Sequence, residues 1–168
     1  MKQTYLWAGL LAVYLPTAGA VDFNTDALKS MQEEGHKIVE EEKGLRTFSL
    51  SGGQCLQASG EPGKTGANLV VKKCNSKSNS QKWRFDDKGR LVSHGGTCVG
   101  VSGEAGKPGA NAVMQKCGGA KSQQWKHDGK KRLVNGLKTC LQAVGDSKKP
   151  GPNVVTDACG DSPNQVWD

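Results

Sequence analysis

The chain has 168 residues, a formal net charge of +7, 35% hydrophobic residues and six cysteines. This length suits one domain rather than two, and so thin an apolar core needs cross-links, which the cysteines can supply. Residues 21–46 hold seven acidic and four basic residues, whereas residues 47–168 hold nine acidic and eighteen basic residues, a net charge of +9. Such asymmetry bears on partners and solubility rather than on the fold.

The first segment, residues 1–20, has the layout of a secretory signal peptide. Lys2 precedes an apolar run over residues 5–15, and small residues lead up to Ala20, after which cleavage is expected. The alternative, a membrane anchor, is disfavoured because this run is too short to cross a bilayer. No later stretch is apolar enough to be a transmembrane segment. We therefore expect a secreted, extracellular protein.

An acidic arm, residues 21–46, follows and is predicted to be helical. Asn24 can cap a helix start, apolar residues recur with partial helical periodicity, and Gly44 suits the helix end. Whether the arm packs on the rest of the protein or binds a partner stays open.

Three repeats of about 42 residues make up the rest of the chain. Each holds two cysteines nineteen residues apart and a following Gln-x-Trp. The cysteine pairs are Cys55 and Cys74, Cys98 and Cys117, and Cys140 and Cys159; the Gln-x-Trp triplets begin at Gln81, Gln123 and Gln165. Three matching copies at one period are a specific signal of internal repetition.

The segments between paired cysteines also agree. They read GEPGKTGAN at 60–68, GEAGKPGAN at 103–111 and GDSKKPGPN at 145–153. Each places a lysine nine residues after the first cysteine (Lys64, Lys107, Lys149) and an asparagine thirteen after it (Asn68, Asn111, Asn153). A shared position in the repeat explains these lysines without any ligand.

Short apolar or alternating runs separated by turn residues predict about four strands per repeat, and about twelve in all. Residues 86–90 and 128–132 have the composition of hairpin turns. One four-stranded copy would leave edges unpaired and an apolar face wet, so three copies are expected to close a barrel together. The predicted fold class is all-β.

The equal cysteine spacing favours disulfides within repeats, Cys55–Cys74, Cys98–Cys117 and Cys140–Cys159, although six cysteines allow fifteen pairings. Each bond would close a loop of about 20 residues and stabilise the fold by roughly 3 kcal/mol. A metal site, the alternative, lacks CxxC pairs and suitably spaced histidines.

Gln-x-Trp in triplicate with one cysteine pair per repeat resembles the ricin B-type lectin family. The resemblance covers residues 47–168 and implies a β-trefoil with repeats near 47–85, 86–127 and 128–168. It also implies that the triplet side chains are structural, with the tryptophans in a shared core: Gln81, Trp83, Gln123, Trp125, Gln165 and Trp167.

In sugar-binding members of that family, a pocket needs three residues per repeat. They are an aspartate two residues after the first cysteine, an aromatic residue two before the second, and an asparagine just before the Gln-x-Trp. Here these positions hold Gln57, Lys72 and Ser80; Gly100, Gln115 and Ser122; and Gln142, Asp157 and Asn164. Ordinary galactose binding is therefore not expected in any repeat.

Two interpretations stay open. The pockets are either retuned, with a lysine-rich rim that suits anionic or sulfated glycans, or vestigial, with another surface in use. The alternative functions are a β-trefoil protease inhibitor or a protein-interaction scaffold. The candidate ligand-binding residues are Gln142, Lys149, Asp157 and Asn164 in the third repeat, and Gln57, Lys64 and Lys72 in the first.

The sequence favours no catalytic function, because catalytic motifs are missing and the three histidines occur singly. No cofactor or metal is expected, and nucleic acid is not an expected partner. The densest basic cluster, residues 126–132, is explained by a solvated hairpin as well as by a ligand site. We expect a monomer or weak oligomer.

Overall fold

The computed structural model describes residues 24–146 and 151–168. The predicted signal peptide, residues 1–20, lies outside the described residues, and so does Lys149. The chain divides into two compact units between Gly35 and His36.

The acidic arm forms one helix, α1 (Thr25–Lys43), as the sequence predicts. Asn24 caps it, because its Oδ1 atom accepts hydrogen bonds from the backbone N–H groups of Asp26 and Ala27, both at 3.2 Å. Among the described residues, no helix is both long and apolar enough to cross a membrane.

The rest of the described chain is β-structure in three groups that follow the sequence repeats. The strands are β1 (Ser49–Leu50), β2 (Gln54–Ala58), β3 (Leu69–Lys73) and β4 (Trp83–Phe85); β5 (Leu91–Ser93), β6 (Cys98–Val101), β7 (Ala110–Gln115) and β8 (Trp125–His127); and β9 (Leu133–Asn135), β10 (Thr139–Ala143) and β11 (Val154–Ala158). A three-residue 3-10 turn precedes each tryptophan of the triplets.

Eleven strands are thus present in the described chain where about twelve were predicted. The place of the twelfth is taken by the C-terminus: Asp168 and Ser49 exchange two backbone hydrogen bonds of 2.8 Å, and Trp167 donates to the Lys131 carbonyl. The last residues thereby join the first strand of the first repeat, which leaves fewer edges unpaired.

All neighbouring strands pair antiparallel. Strands β1-β2-β3 form one sheet, and the other eight form a second in the order β4-β5-β6-β7-β11-β10-β9-β8. The predicted turns at residues 86–90 and 128–132 connect β4 to β5 and β8 to β9, as expected.

The repeated asparagines lie where the central hairpins of the three repeats meet. Asn68 pairs with Val113, Val70 pairs with Asn153, and Asn111 pairs with Val155. A glycine two residues before each asparagine has a positive φ of 82° to 104° and donates its N–H to a neighbouring repeat (Gly66, Gly109, Gly151). The repeated loop residues are therefore explained by repeat-to-repeat contacts.

The core is one apolar cluster to which all three repeats contribute side chains. Trp83, Trp125 and Trp167 lie inside it, with exposed fractions of 0%, 3% and 0%. The predicted disulfides are confirmed, with Cα–Cα distances of 4.9, 5.0 and 4.9 Å for Cys55–Cys74, Cys98–Cys117 and Cys140–Cys159. Burial and cross-linking act together in a chain with few large apolar residues.

Candidate functional site: three unequal repeat pockets

The Gln-x-Trp triplet makes hydrogen bonds to the backbone beside both cysteines of its repeat. Each tryptophan Nε1 donates to the carbonyl of the residue after the first cysteine: Leu56 at 3.1 Å, Val99 at 2.9 Å and Leu141 at 3.0 Å. The buried indole N–H groups are thereby satisfied. None of the three rings offers an exposed face on which a sugar could lie.

Each triplet glutamine is buried and uses both ends of its amide around the second cysteine. Its Nε2 donates to the carbonyl before that cysteine, and its Oε1 accepts from the N–H after it, at 2.6–3.0 Å in all three repeats. The second Nε2 hydrogen always reaches another glutamine, whose Oε1 accepts: Gln57, Gln115 and Gln142, at 2.9, 3.0 and 2.7 Å. These partners occupy the predicted pocket positions.

In the first repeat the partner is Gln57, on β2, at the position where family members carry the aspartate. Lys72 lies two residues beyond the direct partner of Gln57, Val70, and is therefore its diagonal neighbour on the same sheet face. Lys72 is exposed and makes no ion pair within the described chain. This site offers one half-buried amide beside one ammonium group.

In the second repeat the partner comes from the opposite strand. Gly100 has no side chain, and Gln115 of β7 fills the space: a Cβ atom added at Gly100 would lie 2.1 Å from the Gln115 Oε1 atom. Gln115 also donates to the Val101 carbonyl at 3.4 Å. The second pocket is thus occupied by the protein's own side chain.

In the third repeat Gln142 of β10 accepts from Gln165 and donates from Nε2 to the Asp157 Oδ2 atom at 3.2 Å. Asp157, on β11, is diagonal to Gln142, whose direct partner is Val155. The other Asp157 oxygen accepts from the Ala158 N–H at 2.7 Å. A half-buried carboxylate therefore lies beside Gln142, on the strand opposite the one on which family members carry the aspartate.

Asn164 has no hydrogen bond to Asp157 within the described residues. Both of its recorded side-chain hydrogen bonds run from Nδ2 to backbone carbonyls, Ala143 at 3.1 Å and Gly145 at 3.0 Å. It therefore holds the end of β10 and the start of the loop that leads to Lys149. Of the candidates in the third repeat, the structure brings Gln142 and Asp157 together, and Asn164 positions their rim.

Lys64 lies away from Gln57, in the loop between β2 and β3. It is exposed and lines an open cavity of about 420 Å³ with other residues of that loop, including Ser59, Glu61 and Thr65. Lys149 lies outside the described residues, so its role in ligand binding stays a prediction from the sequence.

Acidic residues neutralise most of the basic cluster at 126–132. Lys130 pairs with Asp161 at 2.8 Å, Lys131 with Asp168, and Arg132 with Asp128 at 2.7 Å. The ring of His127 donates from Nε2 to the Trp167 carbonyl at 2.7 Å. The densest run of positive charge in the sequence is therefore largely paired with carboxylates of the chain itself.

These pairs shift the carboxylate pKa values. The hydrogen bond from Arg132 lowers the pKa of Asp128 to about 2, and one from Lys130 lowers the pKa of Asp161. For Asp86, burial raises the pKa, but the hydrogen bonds and charge of Arg90 outweigh burial and the net shift is downward. No group of three or more histidine, cysteine or acidic side chains suited to a metal ion occurs among residues 24–146 and 151–168.

Three antiparallel repeats closed by a shared tryptophan core define a β-trefoil. A family model for the ricin-type β-trefoil lectin domain matches residues 45–167. The chain belongs to that family, as its resemblance in sequence predicts.

Solved structures agree with this assignment. A designed threefold-symmetric protein, ThreeFoil, is 25% identical, with a TM-score of 0.65 over 73% of this chain and 95% of its own. The C-half of an earthworm R-type lectin in complex with GalNAc is 16% identical (TM-score 0.62; 74% and 96% coverage). The β-trefoil lectin of a Vibrio vulnificus hemolysin/cytolysin with bound N-acetyl-D-lactosamine is 21% identical (TM-score 0.61; 74% and 92%). No curated protein matches the chain in sequence.

The sequence did not reveal that two of these sites receive a polar side chain from the opposite strand. Gln115 fills the space beside Gly100, and Asp157 supplies the carboxylate beside Gln142. A signal for the first was present: the second repeat has glycine where the other two have glutamine, and glutamine at the diagonal position. Reading the two positions as a pair, rather than one at a time, would have found it.

Proposed function

We propose that this protein is a non-enzymatic, secreted carbohydrate-binding protein whose competent pocket is in the third repeat. The observation that carries the proposal is the half-buried carboxylate of Asp157, held by Gln142 at 3.2 Å. Membership of a lectin family and two structural relatives with bound sugars support it.

Asp157 can accept hydrogen bonds from sugar hydroxyls, which is the role of the aspartate that sugar-binding family members carry at the position of Gln142. An ionised carboxylate has about four acceptor sites, and only two hydrogen bonds to Asp157 are recorded within the described residues. The remaining lone pairs can accept from adjacent sugar hydroxyls, which are donors of the kind that lectin pockets use. Gln142 fixes the carboxylate, so little side-chain freedom is lost when a sugar binds.

The other two repeats offer less. Gln115 already fills the second pocket, and the first presents only the Gln57 amide with Lys72 beside it. We therefore expect one main site per chain, with the first repeat as a weaker one.

The third pocket lacks an aromatic platform, because Asp157 stands at that position. A neutral galactoside would lose the stacking surface and still give up bound water, so it should bind poorly. The net charge of +9 over residues 47–168 instead favours sugars that carry sulfate or carboxylate groups. Because Asp157 is itself anionic, such a group has to lie beyond it, where the sequence predicts that Lys149 contributes positive charge.

The test is a glycan array that includes sulfated and uronic-acid structures, followed by affinity measurements on the best ligand. We expect Asp157→Asn to weaken binding at least about tenfold, since a hydrogen bond to a charged group is worth about 1.5–3 kcal/mol. Asp161→Asn is the matched control, because it removes an exposed carboxylate that pairs with Lys130 outside the pocket.

Both variants should melt close to the parent protein. Glycan binding that Asp157→Asn leaves unchanged would contradict the assignment of the third pocket. A protein ligand that free sugar fails to displace, with no glycan bound on the array, would favour the inhibitor or scaffold alternative instead.

A further inference from the structure

A second pocket lies at the seam between the turn that joins β4 to β5 and the strands β8 and β9. Its volume is about 450 Å³, within the range of small-molecule sites. Three of its lining residues are lysines, Lys88, Lys126 and Lys138, and none is acidic. Trp125, Val134 and Asn135 form part of its wall.

These three lysines differ from the other basic residues nearby. Lys130, Lys131 and Arg132 are each paired with an aspartate. Within the described chain, the ammonium groups of Lys88, Lys126 and Lys138 have no recorded acidic partner. Three of the lysines that have no ion pair within the described chain therefore border this one pocket.

The backbone at Lys138 provides an independent observation. Lys138 has a φ of 66°, in the left-handed region that favours glycine. The residues two before the first cysteine in the other repeats, Gly53 and Gly96, have φ values of 72° and 80°. The third repeat thus keeps a lysine at a backbone position where the other two have glycine.

Lys131 is the other lysine with positive φ, at 60°, and its side chain pairs with Asp168. That ion pair joins the C-terminus to the turn before β9 and accounts for a lysine at a strained position. Lys138 has no such partner among the described residues, and its side chain lines the pocket instead. Strain of this kind points to a function for the side chain.

We infer that the pocket lined by Lys88, Lys126 and Lys138 is a separate anion-binding site for the sulfate group of a sulfated saccharide. Lysine ammonium groups act as point charges toward such an anion, and Gln124 and Asn135 supply polar contacts at the wall. The lining of this pocket includes none of Gln142, Asp157 and Asn164. The site is therefore distinct from the Asp157 pocket and does not depend on it.

The experiment titrates the full secreted protein with a heparin-derived hexasaccharide, its chemically desulfated counterpart and inorganic sulfate, at constant ionic strength. Calorimetry gives affinities, and amide chemical shifts locate the site. We expect the sulfated hexasaccharide to bind, inorganic sulfate to shift the same amides weakly, and the desulfated hexasaccharide to leave them unshifted.

Lys88→Gln and Lys126→Gln should each weaken hexasaccharide binding by about two- to fivefold, the range of one exposed ion pair. Lys130→Gln is the matched control, because it removes the same charge from a lysine already paired with Asp161. It should change binding less than twofold. Asp157→Asn, which tests the sugar pocket, should leave these amide shifts in place.

Lys138→Gly is the sharpest variant. It should weaken hexasaccharide binding by a similar factor and also raise the melting temperature by about 2–8 °C, since it relieves the positive φ. If a variant that combines Lys88→Gln, Lys126→Gln and Lys138→Gly bound the hexasaccharide as tightly as the parent protein does, the site would be overturned. The same conclusion would follow if the pocket variants lost no more hexasaccharide affinity than Lys130→Gln does, or if the desulfated hexasaccharide bound as tightly as the sulfated one. Tighter binding of single-stranded DNA than of the hexasaccharide at these lysines would also overturn the site.

Discussion

At the residue scale, the same side-chain types have different roles according to their partners. Gln81, Gln123 and Gln165 repeat one hydrogen-bonding pattern around the second cysteine of each repeat. The side chain that accepts their remaining hydrogen comes from β2, β7 or β10. The core pattern is fixed by the repeat, while the pocket above it varies.

Truncating a tryptophan of the shared core should destabilise the fold rather than remove a sugar platform. Trp125 is 3% exposed, and its Nε1 donates to the Val99 carbonyl at 2.9 Å. Trp125→Ala should lower the free energy of unfolding by about 3–5 kcal/mol, through the cavity and the unpaired carbonyl. Chemical denaturation of the variant measures this loss.

The control is Val144→Ala, which shortens an apolar side chain that is 45% exposed and should change stability little. If Trp125→Ala melted like the parent protein and yet lost its ligand, the tryptophan would be a binding residue and its assignment to the core would be wrong.

At the element scale, two of the hairpin turns each contain an Asp–Arg ion pair whose side chains are largely buried. In the turn before β9, Asp128 accepts from two backbone N–H groups and from Arg132, which in turn donates to the Gly160 carbonyl at 3.2 Å. Asp86 and Arg90 repeat this arrangement in the turn before β5, with the Gly118 carbonyl as acceptor. Each turn is thereby tied to the segment that follows the second cysteine.

This arrangement predicts a specific loss of stability in acid. The pKa of Asp128 is about 2 in the folded protein, below its ordinary value of 3.8, so the unfolded chain binds more protons between these values. The contribution of Asp128 should be fully present above pH 4 and disappear as the pH falls toward 2. We expect about 1–2 kcal/mol, allowing for solvent screening.

Urea denaturation of the parent protein and Asp128→Asn across this pH range is the measurement. The two proteins should differ at pH 5 and converge near pH 2. Asp87→Asn, in the equivalent turn, is the control, since Asp87 is exposed and has no recorded hydrogen bond within the described chain. A constant difference between parent and Asp128→Asn at all pH values would contradict the role given to the Arg132 hydrogen bond.

At the scale of the whole molecule, we propose that the charge of the protein favours anionic ligands. The β-trefoil region carries +9, and the structure shows much of the charge at 126–132 paired internally. The unpaired lysines are spread over several faces, which include Lys72 in the first repeat and the Lys88, Lys126 and Lys138 pocket. A ligand with several anionic groups can use more than one of these faces.

Binding to immobilised sulfated glycans should therefore weaken steeply with salt, because the Debye length falls from about 10 Å at 0.1 M to about 3 Å at 1 M. Lys149→Glu should weaken it further if the rim of the third pocket takes part. Elution from a sulfated column at graded salt measures both effects. Galactose and lactose should show no useful affinity.

Tight lactose binding would contradict this expectation, and so would anionic-glycan binding that is indifferent to both salt and Lys149→Glu. Lys107→Glu is a matched charge reversal at the equivalent position of the second repeat, whose pocket Gln115 fills. It should have a smaller effect than Lys149→Glu.

The sequence by itself determined the repeat, the hairpin turns and the all-β class, and the symmetry of the repeat predicted the disulfide pairing that the structure confirms. It could do so because these features depend on residues within one repeat, at a period that recurs three times. The family resemblance rested on the same local pattern. Even the capped helix start at Asn24 is a signal within four residues.

Only the tertiary structure decided which charges are paired and which strand supplies the polar side chain beside each triplet glutamine. Lys130 meets Asp161 and Lys131 meets Asp168 across 31 and 37 residues, so two lysines of the apparent basic cluster are paired with residues of the C-terminal segment. Gln115 and Asp157 enter their pockets from the strand opposite Gly100 and Gln142. These outcomes depend on strand register and on side chains meeting across strands, which local spacing does not specify.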